Sequence, residues 1–89
     1  MNKKEKKEII FSDHAKYKIN LLKELGVNTS YSFIEMIVIS PDRVMEGYEG
    51  RLVAEKEYDN NRTIRVVYEE YKDYIVIVTL YPVRKGRYD

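Results

Sequence analysis

Three groups of residues in this 89-residue chain could do chemistry: a histidine and a lysine one helical turn apart, a threonine and a tyrosine alternating along one strand, and a basic C-terminal stretch that carries a tyrosine. His14 is the only histidine, and imidazole is the one side chain whose ordinary pKa lies near neutral pH. On a helical wheel started at His14, Leu21, Leu25, Leu22, Ala15 and Ile19 fall at about −20°, 20°, 80°, 100° and 140°. His14 and Lys18, at about 0° and 40°, lie inside that apolar arc, so their polar ends need water or an anion at a sheet edge or cleft. A snorkelling stem for Lys18 and a satisfied histidine in the cap region for His14 are the plainer accounts.

Thr79 and Tyr81 alternate with apolar residues in a segment that is apolar on both faces, so their hydroxyls share one side of a central strand. Ordinary β-propensity also favours both residue types. Arg65 sits between Ile64 and Val66, and Arg51 begins a strand. Each reads by default as a surface residue ion-paired with Glu55, Glu57 or Glu69 across the sheet. The stretch of residues 83–89 holds Arg84, Lys85 and Arg87, with Tyr88 beside the last of them. Such a stretch suits a phosphate backbone with a base stacked on the ring, or else it is a solvated end.

Composition removes several classes of function. There is no cysteine and one histidine, which excludes a disulfide framework, a thiol nucleophile and a multi-histidine metal site; neither metal nor cofactor is expected. The formal net charge is +1, so contact with nucleic acid would have to come from a local patch. No run approaches the roughly 18 apolar residues of a membrane span, and the N-terminus lacks an apolar leader core. A cytoplasmic protein without membrane association is the expectation. The lack of glutamine beside abundant Lys, Glu and Tyr leans toward a heat-adapted source.

The elements that must position these residues are legible from pattern. Residues 1–8 read as a basic flexible arm and residues 9–89 as one domain. Residues 12–26 open on N-cap residues and close on Gly26, which predicts a helix. A second helix is expected after Ser30, with Ser32 and Glu35 at capping-box spacing and a stop before Pro41. Four strands then follow as a meander over residues 44–48, 52–58, 63–70 and 74–81. The expected fold is α+β, with two N-terminal helices on one face of a four-stranded antiparallel sheet.

The order of these elements and several short motifs resemble a known family. His14-Ala15 with a basic residue at Lys18, the Leu25-Gly26-Val27 helix end, Pro41-Asp42-Arg43-Val44, the Arg-Thr-Ile-Arg-Val-Val-Tyr run of residues 62–68 and the Ile-Val-Ile-Val-Thr-Leu-Tyr run of residues 75–81 resemble a family of small prokaryotic domains of unknown function. That family is in turn similar, at the level of fold, to the RelE/ParE toxin superfamily. The resemblance implies a toxin-like, metal-independent endoribonuclease, or a protein directed at RNA or the ribosome, restrained by a small antitoxin. Position by position it implies His14 as acid or base, Lys18 and Arg65 as phosphate stabilisers, Tyr81 as an alternative proton donor and Thr79 as an orienting hydroxyl. Arg84, Lys85, Arg87 and Tyr88 would hold the RNA strand. The family has arginine at the position of Lys18, so a bidentate grip becomes a point charge here. A non-catalytic module that binds RNA or protein through the same surface is the alternative, and a sheet edge that pairs with another chain is a third reading.

Overall fold

Alternating apolar residues build a sheet here, and two helices close one side of it. The computed structural model describes residues 7–85. In chain order the elements are β1 (Glu8–Phe11), α1 (Asp13–Glu24), α2 (Tyr31–Ile39), β2 (Arg43–Glu46), a short 3-10 turn (Tyr48–Gly50), β3 (Leu52–Glu57), β4 (Arg62–Glu70) and β5 (Tyr74–Arg84). The sheet has five strands in the order β1-β5-β4-β3-β2. β1 runs parallel to β5, and every other pair is antiparallel.

The four-stranded antiparallel sheet expected from the pattern is therefore corrected to a five-stranded mixed sheet. The missed strand is Glu-Ile-Ile-Phe, four residues long. It is too short to declare a period, and it borrows its stability from registering Ile9 and Phe11 against Ile75 and Ile77. Of the expected arm, residues 1–6 lie outside the described residues; Glu8 belongs to β1, and the Lys7 ammonium donates to the Glu70 carboxylate at 2.9 Å and to the Tyr71 carbonyl. The α+β class and the placement of both helices on one face hold. Among the described residues no helix is long and apolar enough to cross a membrane.

Ala54 of β3, Ile64, Val66 and Tyr68 of β4, and Ile75, Ile77 and Leu80 of β5 are buried in one core with Ala15, Ile19 and Leu22 of α1 and Ile34, Ile37 and Val38 of α2. Burying side chains of this size stabilises by about 1.5–3 kcal/mol each. Ser12 begins α1: its Oγ accepts from the Ala15 amide at 3.0 Å and donates to the Val78 carbonyl at 2.9 Å, so one residue caps the helix and ties it to β5. Gly26, at φ 89, lets the chain leave α1 in a conformation that a side chain would strain. The second helix is capped by Ser30, whose Oγ accepts from the Phe33 amide, instead of through the Ser32–Glu35 pair.

An irregularity in β5 decides which side chains share a face. Val67 stands opposite Thr79, whereas Tyr68 stands opposite Ile77, which leaves Val78 as an extra residue in a β-bulge. Unbroken alternation would put Thr79 and Tyr81 on the face of Ile75 and Ile77. The bulge moves Leu80 to that face, where it is buried, and sends Thr79 and Tyr81 to the other.

Candidate functional site

The sheet splits the sequence-derived residues into three places. On α1 the buried stripe is Ala15, Ile19 and Leu22, while Leu25 is 69% exposed. The apolar arc is thus centred near about 100° on the wheel. His14 lies off its edge and is exposed, and Lys18 is half-buried at its margin. The expectation that both residues lie inside the buried arc is corrected, because the helix turns Leu25 to water and buries the side of Ala15, Ile19 and Leu22. The His14 ring packs beside Tyr17, with centroids 6.5 Å apart.

Arg65, Thr79 and Tyr81 gather on the open face of the sheet, away from the helices. Arg65 is directly opposite Tyr81 on β5 and Glu55 on β3, and Glu55 is opposite Arg43 on β2. The Arg65 Nε donates to Glu55 at 2.9 Å, and Arg43 reaches the other oxygen of the same carboxylate at 2.8 Å. Arg65 is held above the usual guanidinium value by the Glu55 carboxylate first and by its contact with Tyr81 to a lesser degree. One row nearer the β4 C-terminus are Thr79, Val67, Val53 and Met45, all half-buried. Beyond them Arg51 pairs with Glu69 at 3.0 Å, and Tyr71 donates to the second Glu69 oxygen. Both donors hold the Glu69 carboxyl below its ordinary value, Arg51 the more strongly.

His14 and Thr79 consequently do not share a concavity, and neither do His14 and Arg65. The expected convergence fails because the bulge at Val78 reverses the facing of the last third of β5. The sheet stands between His14 on α1 and Arg65 on the open face, and of the two expected phosphate stabilisers Lys18 alone shares α1 with the histidine.

The third place is a concavity of about 670 Å³ where the β3–β4 turn meets the end of β5, lined by Asn60, Asn61, Arg62, Pro82, Val83, Arg84 and Lys85. That size falls within the range of about 300–1,000 Å³ typical of ligand clefts. Arg62 and Arg84 stand directly opposite each other across β4 and β5, an arrangement of like charges that is unfavourable unless something neutralises it. Asp59 neutralises one: Arg62 reaches its carboxylate through Nη2 at 2.9 Å, with the guanidinium over the Tyr58 ring at 5.1 Å. The Asp59 carboxyl is lowered chiefly by the Asn61 amide, with help from Arg62. Lys85 pairs with Glu57 at 3.0 Å, and its amide donates to the Asn61 carbonyl. Arg84 is exposed and makes no ion pair among the described residues.

Arg84 and Lys85 were expected to contact a strand of RNA, and both line this concavity; Arg87 and Tyr88 lie outside the described residues. Pattern reading missed Asn60, Asn61 and Arg62, which it treated as a turn and a strand start. The available signal was the adjacency of the Asn-Asn-Arg run to a hairpin whose other arm ends in Arg84-Lys85. Among the described residues no three His, Asp or Glu side chains group as metal ligands would. Compared with protein-family models, with curated proteins and with solved structures, the chain finds no match.

Proposed function

We propose that the protein is a non-catalytic RNA-binding module that takes a short single-stranded segment at the strand-end concavity. The observation that carries this reading is the cross-strand Arg62–Arg84 pair, in which Arg84 has no carboxylate partner among the described residues. A phosphate between the two guanidinium groups would relieve their repulsion and accept charge-assisted hydrogen bonds. The Lys85 ammonium adds a point charge beside them, and the Asn60 and Asn61 amides offer both donors and acceptors to sugar or base edges. Cleavage is not part of the reading. Metal-free RNA cleavage needs a proton acceptor beside the reacting 2′-hydroxyl, and His14, the chain's one histidine, is not among the residues that line the concavity.

The test is fluorescence anisotropy with a labelled single-stranded RNA in EDTA, followed by a gel of the recovered RNA. Wild-type protein should bind it and leave it intact. Arg84→Glu should weaken binding at least tenfold while the circular dichroism spectrum stays unchanged. Cleavage by wild-type protein that His14→Ala abolishes would overturn the non-catalytic reading and restore the nuclease.

A further inference from the structure

Among the described residues no helix or loop covers the open face of the sheet, and its charges are arranged in a pattern that a second copy can satisfy. At its centre lies the half-buried row Thr79, Val67, Val53 and Met45. On one side of that row Arg65 on β4 stands opposite Glu55 on β3. On the other side the order is reversed, with Glu69 on β4 bonded to Arg51 at the start of β3. The four side chains make a checkerboard of alternating sign around Val67 and Val53. Each pairs with its neighbour within the chain, and Glu55 also takes Arg43, so charges of both signs are interspersed on the face, which suits neither a polyanion nor a polycation.

We propose that the protein forms a two-fold homodimer in which two such open faces pack against each other, centred on Val67 and Val53. A checkerboard of this kind is self-complementary. A two-fold axis lying between the sheets, along the strands or across them, sets Arg65 against a carboxylate of the partner copy and Arg51 against the other carboxylate. Isologous contact then follows from one surface pairing with itself. Aligned packing at about 10 Å brings the inner side chains into contact and tolerates the twist of each sheet.

Area supports the same occupant. Five strands spaced about 4.8 Å apart, about six residues long at about 3.3 Å each, present about 480 Å² per copy before side-chain relief is counted. Two such faces come to roughly 1,000 Å², the size at which specific interfaces begin. An interface of that size lies at the weak end of the specific ones, so the dimer is expected to dissociate on dilution. The strand-end concavity is lined from both faces, by Arg62, Pro82 and Arg84 on the helix side and by Val83 and Lys85 on the other, at the strand ends beyond the Arg65–Tyr81 row and away from the Val67–Val53 centre.

The experiment combines light scattering with subunit exchange. Wild-type protein should be a dimer at about 0.5 mM and dissociate on dilution through the micromolar range. Val67→Lys should be a folded monomer at the same concentration. The inverted variant R43E/R51E/E55R/R65E/E69R keeps the ion pairs of residue 55 with 43 and 65 and of residue 51 with 69, with their signs exchanged, and should dimerise with itself. Mixed with labelled wild-type protein it should not exchange, because like charges then meet across the interface; the mixed dimer should stay far below the statistical half. Three outcomes overturn the proposal. The first is a wild-type chain that is monomeric at about 0.5 mM, which would leave the face to a different protein. The second is a dimer that survives Val67→Lys, and the third is free exchange between wild-type and inverted chains.

Discussion

His14 and Thr79 lie on opposite sides of the sheet, His14 on the helix that covers one face and Thr79 on the strand surface that faces away from it. The separation follows from one extra residue, Val78, whose bulge turns Thr79 and Tyr81 outward just as its carbonyl accepts from the Ser12 hydroxyl. The anchor that fixes the position of His14 and the irregularity that removes Thr79 from its side are thus the same place in the fold.

A first expectation concerns His14 directly. It is exposed and packs only beside Tyr17 among aromatic neighbours. His14→Ala should change unfolding free energy by no more than about 0.5 kcal/mol, and should leave affinity for single-stranded RNA within a factor of two. Chemical denaturation and anisotropy on the same preparations check both.

Ser12 should matter more than the histidine beside it. Ser12→Ala removes the cap of the Ala15 amide and the donor to the Val78 carbonyl together, and should cost about 1–2 kcal/mol. Ser12→Asp retains the cap acceptor but places a carboxylate against that carbonyl, so it should recover only part of the loss in urea unfolding. Full recovery by Ser12→Asp would show that the bond to β5 contributes nothing.

Acid should weaken the fold through three carboxyls. Asp42 is lowered first by the Glu57 amide, Asp59 first by the Asn61 amide, and Glu69 first by Arg51. A folded-state value below the unfolded one means that the stabilisation is complete above the ordinary carboxylate value of about 4 and is lost as pH falls through the lower folded-state value. The thermal midpoint should therefore decline below that range, and Asp59→Asn should flatten the decline while lowering stability at neutral pH. A midpoint that rises on acidification would contradict this assignment.

Much of the fold was legible in the sequence because its signals are local. Gly26 ends α1 where its position suggests, and strands β3, β4 and β5 fall within a few residues of their apolar alternation. What escaped was non-local. β1 is a strand only because β5 lies beside it in register, and no feature of Glu8–Phe11 announces a parallel partner more than sixty residues away. The Val78 bulge is set by pairing with β4 and leaves no mark in the Ile-Val-Ile-Val-Thr run, so strict period two assigned Thr79 and Tyr81 to the wrong face. The ion pair of Arg65 with Glu55 was foreseeable from strand composition. The confrontation of Arg62 with Arg84 was not, because the pattern began β4 one residue late, at Thr63, and ended β5 three residues early, at Tyr81.

The most direct test of the RNA-binding account is the salt dependence of affinity for a short single strand. Each phosphate contact on a single strand contributes about 0.7 to the slope of log affinity against log salt. Arg84→Ala should therefore reduce the wild-type slope by about 0.7, and Arg84→Ala with Lys85→Ala by about 1.4. Wild-type protein that fails to bind the strand at low salt, or slopes that neither substitution alters, would contradict the assignment of the strand-end concavity as the RNA site.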